Sequence, residues 1–276
     1  MTKISAKAPV IGGKQYHIDC GPGDVAPFVL VPGDPERVEK IASLWESSHE
    51  VASPREYHTM TGVYQGIPIS CTSSGIGGPS LAIAVDELCR IGVDTFIRVG
   101  STGGLHKDMQ LGDLVISTGA VRLDGASKDL VIPEYPAVAN YEVVMALIQA
   151  AEELNVRYHV GITASTDTFY TGQGRPAYEG YLPSFKESLY RDLQNARVQN
   201  FEMEAATLFA MASIFGKRAG AVCCIIANRI TDEFEINDEM QKRAGHVASL
   251  AVAILAGWDT EKKKKGKRFF YPALLS

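Results

Sequence analysis

Two arginines stand where apolar runs meet glycine-rich turns, which are places where an anion could be bound. Arg98 follows the run Thr-Phe-Ile at 95–97 and precedes Gly-Ser-Thr-Gly-Gly at 100–104. An unpaired charge at the end of a buried strand is costly, so Arg98 needs an anionic partner. A structural carboxylate would serve, but the amides and hydroxyls of 100–104 favour a small oxyanion.

Arg37 ends a second turn of this kind, Pro-Gly-Asp-Pro-Glu-Arg at 32–37. Asp34 can cap a helix and Pro35 suits the first helical position, which would explain the motif by structure alone. Glycine before a helix start, with a guanidinium one turn in, equally suits a bound anion. The sequence leaves both interpretations open.

Segment 167–175 combines aromatic rings with an amide and a guanidinium. An aromatic ring can stack on a planar heterocycle, while Gln173 and Arg175 can bond its polar edge. A polar surface loop is the alternative. At a predicted helix start, Glu202 and Glu204 either complement the helix dipole or grip vicinal hydroxyls in a cleft.

Short β-branched runs alternate with segments of helical period, which predicts a single α/β domain with a central mixed β-sheet flanked by helices. The predicted strands cover 28–31, 57–64, 67–72, 95–99, 114–121, 158–164 and 221–227. Helical periodicity covers 81–88, 144–154 and 240–254, and a further helix is predicted from about 203 to 215. Gln65-Gly66 joins the second and third strands as a hairpin turn.

The polar turns at 32–37, 75–80 and 98–104 each follow a strand. In open α/β sheets the ligand crevice lies outside the carboxyl ends of the strands, so these turns predict where the site lies. The turn at 75–80 resembles a dinucleotide fingerprint, but Ser80 replaces its third glycine. Its glycines are better explained by tight-turn geometry.

The bulk properties exclude several classes of function. A net charge of -5 and a pI near 5.7 provide no overall field for nucleic acid or anionic membrane. Five cysteines without C-x-x-C spacing, and no apolar run near the ~20 residues of a membrane helix, predict a cytoplasmic protein. The basic run at 262–268 predicts a solvated tail, which gives a domain at 1–260 and a tail at 261–276.

Taken in order, eight motifs resemble those of the uridine phosphorylases in the nucleoside phosphorylase family: VPGDPER, SPREY, GIGGPS, RVGSTGG, VRLDGAS, STDTFYTGQGR, NFEMEAA and IIANR. The resemblance covers residues 17–256, and the ordered set is far more specific than any one motif. It implies a three-layer nucleoside phosphorylase-like fold and reversible phosphorolysis, with inorganic phosphate as co-substrate and no cofactor. It also implies a homo-oligomer, a hexamer built as a trimer of dimers.

The resemblance further implies roles for individual residues. The phosphate-binding positions are matched by Gly33, Arg37, Arg98 and Ser101, with Arg55 contributed by the neighbouring subunit. The base-binding positions are matched by Phe169, Gln173, Arg175, Ile226, Ala227 and Arg229, and the ribose-binding positions by Met203, Glu204 and the neighbour's His17. Catalysis would depend on Arg98, Gln173, Arg175 and Glu204. No metal is required, although a potassium ion at the dimer interface would lie near Glu56, Ile76 and Ser80.

Several alternatives stay open at this level. Related purine enzymes use an aspartate at a strand end where this chain has Asn228, which favours a pyrimidine substrate. Gly174 and Ala227 depart from the family's usual glutamate and valine, and the choice among uridine, deoxyuridine and thymidine is undecided. A purine nucleoside phosphorylase, a nucleoside hydrolase, a nucleoside-binding sensor and a nucleic-acid binder acting through the basic tail are the competing hypotheses.

Overall fold

The computed structural model describes residues 5–275. Within that range the chain forms thirteen strands and seven α-helices. The strands are β1 (Val10–Ile11), β2 (Lys14–Gln15), β3 (Phe28–Pro32), β4 (Ser47–Ala52), β5 (Thr59–Tyr64), β6 (Ile67–Thr72), β7 (Thr95–Gly104), β8 (Leu114–Leu123), β9 (Ala137–Val138), β10 (Tyr158–Thr166), β11 (Asn200–Glu202), β12 (Arg218–Asn228) and β13 (Glu233–Phe234). The helices are α1 (Pro35–Ala42), α2 (Gly78–Arg90), α3 (Ala126–Leu130), α4 (Tyr141–Glu153), α5 (Leu189–Asn195), α6 (Ala205–Ile214) and α7 (Asp238–Lys264).

Apart from the small β1–β2 hairpin, the described strands belong to one mixed sheet centred on β7. β7 pairs in parallel with β3 and β12 and antiparallel with β11. β12 also pairs with β8, and β8 connects through β10 to β11, so these five strands close into a ring. β6 joins β3 in parallel, and β5 and β4 extend this edge antiparallel. The predicted single α/β domain with a mixed sheet is confirmed.

Helices cover the two faces of this sheet because successive strand residues point to opposite sides. Leu30 and Ile97 belong to the apolar cluster that includes residues of α1, α4 and α7. Their neighbours Val29 and Phe96 belong to the cluster that includes residues of α2 and α6. Nowhere in residues 5–275 is a helix both long enough and apolar enough to span a bilayer.

All seven predicted strands are present, but β7 continues five residues beyond the predicted segment 95–99. Residues 100–104 were expected to form a turn beside Arg98, and that expectation is wrong. They remain extended because they pair with β12 on one side, while Gly103 and Gly104 pair with β11 on the other. The polar run therefore forms the end of a central strand, and this strand carries Arg98 and Ser101 together.

The C-terminal segment is docked, which corrects the prediction of a solvated tail. α7 continues to Lys264, so the predicted boundary at residue 260 falls inside a helix. Lys262 is buried, with its Nζ 2.6 Å from Glu142 Oε2. The Phe270 ring stacks on Trp258 with their centroids 3.8 Å apart. Lys262 and Phe270 thus pack into the layer formed by α4 and α7, while the other five basic residues of the run are exposed.

Candidate active site

A cavity of about 470 Å³ lies beside the carboxyl ends of β3, β7 and β12 and the start of α6. It brings together eleven residues predicted to bind phosphate, base or ribose: Gly33, Arg37, Arg98, Ser101, Phe169, Gln173, Arg175, Met203, Glu204, Ile226 and Ala227. The most distant of these residues in sequence are Gly33 and Ala227, near opposite ends of the chain. The fold therefore collects most of the predicted site at the sheet edge where a crevice was expected.

Arg37 lines the cavity from the first turn of α1. The helix starts here because Asp34 Oδ1 accepts a hydrogen bond from the Glu36 amide (3.0 Å) and Pro35 occupies the first turn. Arg37 is 6% exposed, and its Nη1 donates to the Val99 carbonyl oxygen (3.2 Å). Its buried Nε has no hydrogen-bond partner in the described part of the chain. Burial and the neighbouring Arg98 lower the pKa of Arg37.

Arg98 is buried and has two carboxylate partners. Its Nε donates to Glu202 Oε2 (2.7 Å), and its Nη2 lies 2.5 Å from Glu204 Oε2. Burial disfavours the charge, but Glu204 and Glu202 outweigh that effect and raise the pKa of Arg98. For contacts within the chain, the alternative that Arg98 pairs with a structural carboxylate is therefore correct. These contacts use two of the five N–H donors of the guanidinium, which leaves capacity for a further anion.

Glu204 lies at the start of α6 and faces the cavity from between two donors. Its Oε1 accepts a hydrogen bond from the Gly77 amide (2.5 Å), and its Oε2 pairs with Arg98. Gly77 has a φ of 96°, a conformation that favours glycine, so the turn at 75–80 presents this amide as a tight turn would. Burial and the nearby Glu202 raise the pKa of Glu204.

The other end of the cavity carries Phe169, Gln173 and Arg175. The Arg175 guanidinium lies 4.2 Å from the centre of the Phe169 ring and donates to the Phe169 carbonyl oxygen (2.9 Å). It also donates to the side-chain oxygen of Gln173. Burial and Arg229 lower the pKa of Arg175 to about 10. This arrangement presents an aromatic face, an amide and a cation within one wall.

Some lining residues were not identified from the sequence. Phe234, on the two-residue strand β13, lies opposite Ala227 in the antiparallel pair with β12 and reaches the cavity although it is 68% exposed. Phe201 also lines the cavity, next to Thr102 and Gly103 of the segment 100–104 that the sequence did indicate. The positions of Phe234 and Phe201 follow from strand pairing, for which the local sequence carries no signal.

Five predicted site residues are absent from the lining of this cavity. Arg229 lies behind it and donates from Nη1 to the Gln173 carbonyl oxygen (3.1 Å). His17 and Arg55 lie elsewhere, and both contact Tyr16. The His17 ring lies 4.8 Å from the Tyr16 ring, and the Arg55 guanidinium lies 5.6 Å from it.

Glu56 and Ser80 are the other two residues outside the cavity lining, and both flank Gly75. A Cβ added to Gly75 would lie 2.9 Å from Glu56 Cγ and 3.2 Å from Ser80 Oγ. The Ser80 hydroxyl donates to the Ile76 carbonyl oxygen (3.4 Å). The three residues predicted to surround a monovalent cation are thus close together, beside the cavity that Ile76 lines.

Similarity to known proteins extends over nearly the whole chain. Residues 27–256 match the family model of the phosphorylase superfamily. The chain is 60% identical over 272 residues to the uridine phosphorylase of Thermococcus kodakarensis, covering 98% of each chain. It is 41% identical to the uridine phosphorylase of Escherichia coli, covering 86% of this chain and 95% of the relative.

A further relative carries a different name. The guanosine phosphorylase of Halorubrum lacusprofundi is 39% identical over 244 residues, covering 87% of this chain and 96% of the relative. Relatives with pyrimidine and purine names therefore share almost the whole length of the domain. On the match to the family model and the extent of these similarities, the chain belongs to the phosphorylase superfamily.

Proposed function

We propose that this protein catalyses the reversible phosphorolysis of uridine, and of related pyrimidine nucleosides, to the free base and a (deoxy)ribose 1-phosphate. One observation carries the proposal: Arg37 is a buried cation without a carboxylate partner among residues 5–275, and it lines the same cavity as Arg98. A buried cation of this kind calls for an anion from outside the chain. The similarity to uridine phosphorylases over the whole chain supports phosphate as that anion.

The reaction joins a phosphate oxygen to C1′ of the sugar while the bond from C1′ to the base nitrogen breaks, with its electron pair passing to the base. Positive charge develops on the sugar and negative charge on the base, so catalysis requires both to be stabilised. Arg37, Arg98 and Ser101 hold the phosphate against C1′, which replaces a bimolecular encounter. No protein nucleophile takes part.

Glu204 and Met203 bind the ribose, and Glu204 retains acceptor capacity beyond its contacts to Arg98 and Gly77. Gln173 and Arg175 bind the polar edge of the base and stabilise the negative charge on its carbonyl oxygens. Phe169 stacks on the base, Ile226 and Ala227 form the apolar wall, and Arg229 supports the loop through Gln173.

Asn228 supports the choice of a pyrimidine. Its Nδ2 donates to the carbonyl oxygens of His106 (3.1 Å) and Met109 (2.8 Å), and its Oδ1 accepts from the Ile230 amide (2.8 Å). The side chain is thus committed to the backbone and supplies no acid for a purine. A uracil anion can leave without such an acid. Because one relative is named a guanosine phosphorylase, a purine nucleoside is the substrate to compare with uridine.

We also propose that His17 and Arg55 complete the site of a neighbouring subunit in a hexamer built as a trimer of dimers. The two residues lie together at Tyr16 and outside the lining of their own cavity. A phosphate dianion requires several cations, and dividing them between subunits reduces their repulsion in the free chain. Co-expressed Arg55→Ala and Arg98→Ala chains should therefore regain part of the activity that each lacks alone. Mixed oligomers without such a gain would contradict the shared site.

A potassium ion and a cytoplasmic location are further parts of the proposal. The Glu56 carboxylate, the Ile76 carbonyl group and the Ser80 hydroxyl are oxygen donors, which suit a hard monovalent cation. Such an ion would order the turn that presents the Gly77 amide to Glu204. The five cysteines, all of them within the described residues, are unpaired, as expected in a reducing compartment.

A nucleoside panel with and without phosphate tests the proposed function. We expect phosphate-dependent release of uracil from uridine and slow turnover of inosine and guanosine. Equal release without phosphate would indicate a hydrolase, and binding without turnover would indicate a sensor. Comparable turnover of guanosine and uridine would overturn the role given to Gln173 and Arg175, because a site with buried polar groups should reject a base that leaves them unpaired.

A further inference from the structure

Glu202 is a buried carboxylate that the proposed reaction does not use. Its side chain has no exposed surface. Its Oε2 accepts hydrogen bonds from Arg98 Nε (2.7 Å) and from the backbone amides of Glu204 (2.8 Å) and Ala205 (2.9 Å). Its Oε1 accepts one from the Ser165 hydroxyl, whose oxygen in turn accepts the Ala206 amide (2.9 Å). One carboxylate thus joins β7, β10 and the start of α6.

Glu202 and Glu204 differ in whether their carboxylates are available to accept hydrogen bonds from a substrate. Three N–H donors bond to Glu202 Oε2, the Ser165 hydroxyl bonds to Oε1, and the side chain is fully enclosed. Glu204 receives one donor on each oxygen, from Arg98 and Gly77, and so can still accept sugar hydroxyls. Because its side chain has no exposed surface, Glu202 is not accessible to substrate, although it contacts the residue assigned to phosphate and the backbone of the residue assigned to ribose.

We infer that Glu202 is a positioning residue: it fixes the Arg98 guanidinium through Nε so that the remaining N–H groups are directed at phosphate. The inference rests on the proposed phosphorolytic function. The bond to Nε is charge-assisted and holds one edge of a planar group, which determines where its other edge points. The bonds to the amides of Glu204 and Ala205 fix the same carboxylate to the first turn of α6.

Two simpler roles for Glu202 predict different behaviour. If Glu202 only satisfied the amides at the start of α6, its loss would lower stability and leave phosphate binding unchanged. If it acted only as a negative charge near the phosphate, its neutralisation would strengthen phosphate binding. If it positions Arg98, neutralisation should weaken phosphate binding even though a repulsive charge has been removed. The sign of the change therefore separates the three roles.

The decisive variant is Glu202→Gln, which keeps the shape and can still accept the two backbone amides, but replaces the charge-assisted bond that fixes Arg98 Nε with a weaker neutral one. Inorganic phosphate is titrated calorimetrically into the whole wild-type protein and into the variant. We expect binding to weaken about tenfold, and the KM for phosphate to rise in proportion. Unchanged or tighter binding by the variant would overturn the inference.

Glu142→Gln is the matched control, because Glu142 is also a buried glutamate that accepts a backbone amide and pairs with cations, at the far end of the molecule. It should lower stability and leave phosphate binding unaltered. A wild-type protein that does not bind phosphate would instead refute the proposed function, so the two failures are distinct. If Glu202→Gln does not fold, Ser165→Ala is the second test. It removes one hydrogen bond to Glu202 but keeps the charge of Glu202, and it should weaken phosphate binding two- to threefold. Unaltered phosphate binding would overturn the inference.

Discussion

The cavity and the α4–α7 end of the molecule both bury cations, but they differ in how those charges are balanced. At the α4–α7 end, Arg218 pairs with Asp259 through two bonds (2.9 and 2.8 Å), and Lys262 pairs with Glu142 (2.6 Å). In the cavity, the donors of Arg37 and Arg175 go to backbone carbonyls and an amide, and neither has a carboxylate partner within residues 5–275.

The pKa shifts follow this difference. Burial lowers the pKa of Arg37 and Arg175, whereas carboxylates outweigh burial and raise the pKa of Arg218 and Lys262. A buried cation that its own chain does not neutralise is unfavourable for folding and favourable for binding an anion. The buried cations of the α4–α7 end are therefore neutralised within the chain, whereas Arg37 and Arg175 in the cavity are not.

The largest expected effect comes from Arg37→Met. The variant should lose about a hundredfold in kcat/KM for phosphate, because one of the charges proposed to bind the phosphate is removed. Its free energy of unfolding should stay the same or rise by about 1 kcal/mol, because no buried carboxylate is left unpaired. Arg243→Met is a control outside the cavity. A loss of more than about 2 kcal/mol in stability would mean that Arg37 is structural.

The two regions also differ in how far the sequence predicted them. The strands, the hairpin at Gln65-Gly66 and the helix capped by Asp34 depend on local patterns, and all of them are present. The pairing of Arg98 with Glu202 joins residues 104 positions apart, so spacing could indicate that a partner was needed but not which one. Phe234 lies at the cavity because β13 pairs with the end of β12.

The C-terminal segment was misjudged for a related reason. Its composition is that of a solvated tail, and five of its six basic residues between 262 and 268 are exposed. Its docking depends on the stack of Phe270 on Trp258 and on the bond from the Phe270 amide to Glu142 (2.9 Å). A few contacts with elements distant in sequence are enough to dock a segment whose average composition is that of a tail. Such contacts cannot be predicted from composition or periodicity.

The second prediction concerns this docked segment. Phe270→Ala should lower the free energy of unfolding by about 3 kcal/mol, because it removes a buried ring from a stacked pair. Phe269→Ala is the matched control, since Phe269 is 58% exposed and Phe270 is 5% exposed. Thermal or denaturant unfolding measures both. Uridine turnover by folded protein should be normal in each variant, and a lost activity would show that the segment reaches the cavity.

A third prediction uses the neighbouring lysines at the end of α7. Lys262→Met should cost about 2 kcal/mol of stability, because Glu142 and Asp259 lose a close partner while retaining Arg218. Lys263→Met, at an exposed position, should change stability by less than about 0.5 kcal/mol. Phosphate binding should be unaffected in both. Equal stabilities for the two variants would show that the ion pairs of Lys262 do not stabilise the α4–α7 end, which would contradict the comparison with the cavity.

The smallest expected effect is the pH dependence of the stability that Lys262→Met loses. Burial opposes the charge on Glu142, but Lys262, the Phe270 amide and Arg218 outweigh it and lower the pKa of Glu142 below its ordinary value of 4.5. A carboxylate whose pKa is lower in the folded protein stabilises the fold above its unfolded pKa, and that stability is lost as the pH falls through the folded value. The difference in unfolding free energy between wild type and Lys262→Met should therefore be full at pH 7 and shrink below about pH 4.5. Arg37→Met, which breaks no ion pair with a carboxylate, should show no such narrowing against wild type. Denaturant titrations at several pH values measure both differences, and a Lys262→Met deficit that persists unchanged to pH 3 would show that packing rather than charge holds this end together.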